Sequence, residues 1–101
     1  MEHTCPACER KKSQPRDEKE IKDLKSRINR IIGQLNGVSK MLDENRYCAD
    51  VLTQIAASEA ALRSLGYVIL QEHIDTCVVE DVKNNKLDSL DEAIELMKKL
   101  K

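Results

Sequence analysis

The chain has 101 residues, of which 35% are charged and 41% hydrophobic, and its formal net charge is −1. Two tyrosines are the only aromatic residues, so one copy builds a thin aliphatic core, and assembly is the expected remedy for a domain of this size. No apolar run approaches the roughly 20 residues that span a bilayer, and the first residues lack an apolar segment, so a cytoplasmic location without membrane association is expected.

Met1 to Pro15 reads as a flexible tail, polar and charged, with Pro6 and Pro15 and two of the four cysteines. Cys5-Pro-Ala-Cys8 is half of a zinc site with no second pair at the usual distance. With His3 it makes at most a loose metal-binding or redox-sensitive accessory. The remainder, residues 16–101, reads as one helical domain.

The first helix is predicted from Arg16 to Leu42. Ile21, Leu24, Ile28, Ile31, Leu35, Val38 and Leu42 follow alternating steps of three and four, a heptad seam packed along its length. Gly33 and Gly37 lie four apart in it and suggest close approach of a partner backbone. Charge is unevenly spread: from Arg10 to Arg30 nine basic residues stand against four acids, a local balance of +5, whereas from Gln71 onward eight acids stand against five lysines, a balance of −3. A basic front end can serve a polyanion even in a nearly neutral chain.

Asp43-Glu44-Asn45-Arg46 is the predicted break, short enough to make its flanking helices antiparallel neighbours. The second helix is predicted from Tyr47 to Lys83. Ile55, Leu62, Ile69, His73 and Cys77 follow one face at steps of seven, seven, four and four, and Ala56, Ala57, Ala60 and Ala61 narrow its middle. Asn84-Asn85-Lys86 reads as a turn. A third helix, about Asp88 to Lys101, carries Leu87, Leu90, Ile94 and Met97 on one stripe and is expected to cap the bundle or meet another dimer.

Three soft-metal ligand candidates share the second helix. His73 and Cys77 are one turn apart and leave the same face. Cys48 precedes His73 by 25 positions, about 37 Å along a straight helix at roughly 1.5 Å per residue. One metal ion reaches all three only if Cys48 comes from a second chain lying antiparallel. The midpoint of the ligand set falls near Leu62, and a two-fold axis there completes two sites per dimer. Two thiolates and an imidazole suit Cu(I) or Zn(II), with three ligands favouring trigonal Cu(I). Tyr47 and Asp75 lie close enough in sequence to orient such ligands. A phosphate-cradling glycine loop and a nucleophile motif are both missing, so an enzyme is not expected.

Arg27-Ile-Asn-Arg30-Ile-Ile-Gly33-Gln34-Leu-Asn-Gly37, Tyr47-Cys48-Ala-Asp50-Val-Leu-Thr-Gln54-Ile-Ala-Ala and His73-Ile-Asp-Thr-Cys77-Val together resemble the CsoR/RcnR family of bacterial metal-sensing repressors, over about Lys19 to Lys101. The resemblance implies an all-α, three-helix subunit, an antiparallel four-helix-bundle dimer and a dimer of dimers. It also implies an apo form that holds operator double-stranded DNA and releases it on binding its inducer. Cys48, His73 and Cys77 match the copper-sensing branch. Nickel and cobalt sensors and formaldehyde sensors lack the last cysteine, and persulfide sensors keep both cysteines without the histidine. The same branch implies a tyrosine, matched by Tyr47, and a glutamate beyond the ligands, for which Glu95 or Glu92 would serve. Arg27, Arg30 and Arg63 fall at the family's basic positions, and Lys19, Lys22 and Lys25 would add charge toward DNA, held mainly through phosphates and groove shape. The expected function is thus a Cu(I)-responsive repressor. The alternatives are a persulfide-responsive repressor using Cys48 and Cys77, and a copper-buffering protein that binds no DNA.

Overall fold

The computed structural model describes Lys12 and residues 14–101. His3, Cys5 and Cys8 lie outside the described residues. Among the described residues four α-helices appear: α1 (Glu18–Asp43), α2 (Cys48–His73), α3 (Val79–Lys83) and α4 (Asp88–Lys99), with a π-helical turn at Ile74–Val78 joining α2 to α3. The backbone stays helical through both junctions, where Ile74 and Val79 keep right-handed helical dihedrals. The three segments therefore form the one long helix expected from Tyr47 to Lys83. Its 36 residues account for about 54 Å at roughly 1.5 Å each, matching the 56 Å long dimension of the chain. The fold is all-α, with no strand among the described residues.

Local chemistry sets the ends of these helices. Asp17 caps α1: its Oδ1 accepts from the Glu20 N–H at 2.8 Å, and Asp17-x-x-Glu20 follows the capping-box spacing. The break after α1 uses neither glycine nor proline. Asn45 takes φ 54°, a left-handed conformation that asparagine tolerates better than most residues. Its N–H reaches the Leu42 carbonyl at 3.1 Å and the Arg46 N–H reaches Met41 at 2.9 Å, the paired bonds of a Schellman termination. The same device closes α3. Asn85 sits at φ 60°, with Asn85 N–H to Val82 at 3.0 Å and Lys86 N–H to Asp81 at 2.8 Å.

The heptad seam of α1 divides into two rows. Ile31 and Val38 are buried, while Ile21, Ile28, Leu35 and Leu42, also seven apart, are exposed. The inner row packs on α2, where Val51, Ser58 and Leu65 are buried at the same spacing. The buried serine is satisfied by donating to the Gln54 carbonyl at 3.1 Å. The other α2 stripe, Ile55 and Leu62, remains exposed. One chain thus covers half of each seam, and among the described residues no large side chain is fully enclosed. Its radius of gyration of 17.3 Å exceeds the roughly 13 Å of a compact domain this long. A second small core joins Leu70, Val78 and Ala93, flanked by Ile74, Leu96 and Leu100, and fixes α4 against the far end of the long helix.

Gly33 and Gly37 do not mark a close approach within the chain, since a Cβ at either would meet nothing within 4 Å. Gly66 does: a Cβ there would lie 2.6 Å from Leu100 Cδ2, so this glycine lets the end of α4 lie on α2.

Candidate metal centre

Cys48 begins α2, and His73 ends it just before the π turn that carries Cys77. Cys48, Ile55, Leu62 and Ile69 are spaced by seven, and His73 and Cys77 continue that line. All three candidate ligands therefore stand on the stripe that α1 leaves open. Cys48 is exposed and Cys77 half-buried, both as free thiols. Among the described residues, no three His, Cys, Asp or Glu side chains of the single chain converge as a metal site. The fold keeps Cys48 at one end of α2 and the His73/Cys77 pair at the other.

Two local features accompany the π turn, although the first recurs at Thr53 in regular α2, where Thr53 Oγ1 donates to the Ala49 carbonyl at 2.8 Å. Thr76 Oγ1 donates to the Glu72 carbonyl at 2.8 Å, drawing on an acceptor that the regular helix would use. β-Branched residues (Ile74, Thr76, Val78 and Val79) crowd the same turns and weaken the α-helical preference. Single π turns recur at functional positions in long helices, and this one starts directly after His73 and contains Cys77. Ile74 and Val78 of this turn belong to the core that holds α4, so its register is tied to the position of the last helix.

His73 is half-buried, and its Nε2 is enclosed without a hydrogen-bond partner. A buried imidazole nitrogen usually finds a partner, and none stands within hydrogen-bond reach among the described residues. His73 borders a cavity of about 440 Å³ whose lining includes Gly66, Leu70, Leu96, Lys12 and Arg16.

Lys12 and residues 14–16, of which the sequence places all but Arg16 in the tail, form a short strap across the His73/Cys77 end. Arg16 Nε lies 2.7 Å from Glu72 Oε1 and Lys12 Nζ 3.2 Å from the same oxygen. Lys12 Nζ also donates to Thr76 Oγ1 at 3.2 Å and to Cys77 Sγ at 3.7 Å. Gln14 Nε2 donates to Glu80 Oε2 at 3.1 Å. Glu72, Thr76 and Glu80 are four apart, so the strap follows one face of the long helix. Burial raises the Glu72 pKa, but hydrogen bonds and charges from Arg16 and Lys12 outweigh it and hold the carboxyl below its ordinary value. The sequence carried a signal for this contact in its basic front end and acidic rear end. That complementarity does not by itself name partners.

The remaining candidates lie elsewhere. Tyr47, exposed, precedes Cys48 at the start of α2. Glu95 is exposed and pairs with Lys98 at 3.2 Å. Glu92 is half-buried on the Leu96 side of α4. The chain alone brings neither acid together with Tyr47. Lys22 and Lys25 line a shallow groove along α1 with Ile21 and Asn29. Arg27 and Arg30 line a smaller one, about 110 Å³, with Gln34 and Ser64 at the α1–α2 seam. Arg63 meets Glu59 at 3.6 Å, a surface pair of small energetic weight. Lys22 and Lys25 thus line one groove of α1, Arg27 and Arg30 line another at the α1–α2 seam, and Arg63 stands on α2.

An all-helical chain with soft-ligand candidates at the two ends of one long helix, and arginines and lysines along its helices, carries the residues expected of a metal-responsive regulator. Residues 20–99 match the family model described as metal-sensitive transcriptional repressor, and the chain belongs to that family. It is a regulator and not an enzyme. A copper-sensing transcriptional repressor CsoR from Bacillus subtilis is 33% identical over 82 residues, 80% of this chain and 81% of that protein. A copper-sensing transcriptional repressor RicR from Mycobacterium tuberculosis is 46% identical over 56 residues, and the match spans 58% of that relative's length. Among solved structures, the Cu(I)-containing copper-sensing repressor CsoR of Geobacillus thermodenitrificans superposes with a TM-score of 0.80 at 40% identity, over 85% of this chain and 91% of that one. The nickel-responsive transcriptional regulator InrS superposes with a TM-score of 0.70 at 28% identity, over 89% of this chain and 100% of that one.

Proposed function

We propose that this protein is a Cu(I)-responsive transcriptional repressor of the cytoplasm, bound to operator DNA as apoprotein and released when copper binds. The observation that carries the proposal is the placement of Cys48, exposed at the start of α2, and of His73 and Cys77, half-buried under the Lys12 contact at its far end, on one line along the long helix. In an antiparallel pair of chains, Cys48 of the partner subunit would join His73 and Cys77, and the reciprocal site would form at the other end. The donor set, two sulfurs and one nitrogen, suits a monovalent soft ion, and the enclosed, unpartnered His73 Nε2 fits a ring that gains a partner only in the assembly. The ion, when bound, supplies a crosslink between chains.

The chain's own residues do the rest. Arg27 and Arg30 on α1, with Lys22, Lys25 and Arg63, would hold phosphates across the assembled surface. The Leu70–Val78–Ala93 core ties the ligand segment to α4, so drawing His73 and Cys77 toward a partner displaces α4 as well. Two such dimers, associated through the exposed Leu87, Leu90, Ile94 and Met97 stripe, would form a tetramer. Tyr47 of the partner and Glu92 or Glu95 would orient the ligands.

Anaerobic titration of the protein–operator complex with Cu(I) tests the proposal. Release at one copper per chain is expected, with absorption spectroscopy showing two sulfurs and one nitrogen, and Cys48→Ala and Cys77→Ala should bind DNA yet ignore copper. Undiminished DNA binding by the copper-loaded protein would refute it. Release by persulfide, with Cys48–Cys77 crosslinks on non-reducing gels and an intact response in His73→Ala, would identify a sulfur signal instead. Metal binding without salt-dependent binding to any DNA would leave a copper buffer.

A further inference from the structure

We propose that Lys12 sets the charge selectivity of the ligand pair, favouring a monovalent soft ion over a divalent one. The inference rests on the reading of Cys48, His73 and Cys77 as the metal ligands.

An ammonium group has three protons to donate, and Lys12 Nζ has three acceptors around it: Glu72 Oε1 at 3.2 Å, Thr76 Oγ1 at 3.2 Å and Cys77 Sγ at 3.7 Å. Only 19% of its side chain is exposed. Arg16 holds the other side of Glu72 at 2.7 Å. Two cations against one carboxylate leave this cluster with a formal charge of +1 directly beside a candidate ligand sulfur. No such surplus is needed to hold the strap, because Arg16 alone would neutralise Glu72.

The consequence follows from charge. Two thiolates and a neutral imidazole carry −2. With a monovalent ion the loaded site is −1, and the neighbouring +1 stabilises it. With a divalent ion the site is neutral, and that stabilisation vanishes. A unit charge about 4 Å away in a partly wet environment changes an equilibrium by several orders of magnitude at most. Sharing Lys12 with Glu72 and its residual exposure reduce the effect, leaving at least about a tenfold preference. InrS, the nickel-responsive regulator of similar fold, shows that this backbone accommodates divalent responders. A local charge is one way for this chain to discriminate where backbone geometry does not.

The test uses the full-length chain and its Lys12→Arg, Lys12→Gln and Lys12→Glu variants. Cu(I) and Zn(II) affinities are each measured by competition with a chromophoric chelator, and the readout is their ratio. Lys12→Arg should keep the wild-type ratio, Lys12→Gln should lower it about tenfold, and Lys12→Glu should lower it further. If Lys12 merely fastens the strap, both affinities move together and the ratio stays within twofold in every variant, which overturns the inference. Failure of the wild-type protein to bind Cu(I) through two sulfurs and one nitrogen would bring down the copper reading itself. Normal copper binding with an unmoved ratio would remove only the role of Lys12.

Discussion

Leu62→Ala separates a bundle interior shared by two chains from the folding of one. Leu62 lies midway between Cys48 and the His73/Cys77 pair and is 50% exposed in the single chain, while Leu65, one turn on, is buried against α1 at 9%. Complete burial of a leucine side chain contributes about 1.5–3 kcal/mol, so enclosing the open half of Leu62 contributes about 1 kcal/mol. A two-fold axis at this position places both copies in the interface, and the truncation costs the dimer about 2 kcal/mol. The dimer dissociation constant should therefore rise about thirtyfold. Sedimentation equilibrium measures it, with far-UV circular dichroism showing that helix content is retained under associating conditions. Leu65→Ala is the control. It should destabilise the α1–α2 hairpin by about 2–5 kcal/mol, seen in thermal unfolding. If Leu62→Ala leaves the dissociation constant unchanged while the wild-type protein is a dimer, the open stripe is not the shared interior, and the reciprocal metal site falls with it.

Arg30→Ala and Arg27→Ala should each weaken operator binding similarly across DNA sequences and reduce the slope of log affinity against log salt by about 1, a dependence measured by fluorescence anisotropy at several salt concentrations. Because Arg16 and Lys12 lower the Glu72 pKa against the opposing effect of burial, the ionised carboxylate secures the strap above the ordinary carboxylate pKa, and that contribution fades as pH falls through the lowered value. In the nuclear magnetic resonance spectrum the side-chain signals of Lys12 and Arg16 should be ordered at neutral pH and averaged in strong acid, and equally averaged at neutral pH in Glu72→Gln; order persisting in that variant would show that other contacts hold the strap. Gly37→Ala should stabilise α1 by about 1 kcal/mol, read as a higher thermal midpoint, since the added methyl meets nothing within 4 Å in the chain. Loss of dimers in that variant would instead place a partner backbone against Gly37.

The helices were legible because their signal is periodic. The α1 seam and the long second helix follow from the spacing of isoleucine, leucine and valine, and their ends fell within two residues of the expected positions. The row turned inward was not legible. Ile31 and Val38 differ from Ile28 and Leu35 in position but not in chemistry, and what separates them is which partner each row meets. Both terminations were recognisable as polar breaks, although the asparagine that takes the left-handed conformation at each was not singled out. The candidate ligands were proposed from residue types at helical spacing, and the structure leaves Cys48 at one end of α2 and His73 and Cys77 at the other. The π turn that contains Cys77 was not legible, because a β-branched run with one threonine back-bond is common in ordinary helices. The strap was hidden for a different reason: Lys12 and Arg16 find Glu72 across some sixty intervening residues, and pairing at that range depends on the assembled fold.

The separation of the ligands explains why copper would act as a signal in this fold and not as a structural staple. If His73, Cys77 and the third donor stood on one turn, the binding energy of an ion would be absorbed locally and the rest of the molecule would be unaffected. With Cys48 at the opposite end of α2, the same energy is released only when two chains adopt one particular alignment, so it acts on their relative placement. Arg27 and Arg30 share a groove with Gln34 of α1 and Ser64 of α2, the two helices whose outer faces that alignment sets. On the proposed reading, the spacing of these cations would then depend on the alignment that the ion fixes. By linkage, DNA that selects a different spacing must weaken copper binding by the same factor that copper weakens DNA binding. The similar backbones of a copper-sensing and a nickel-responsive relative fit a division of labour in which the long helix provides coupling and the side chains on its open stripe choose the ion.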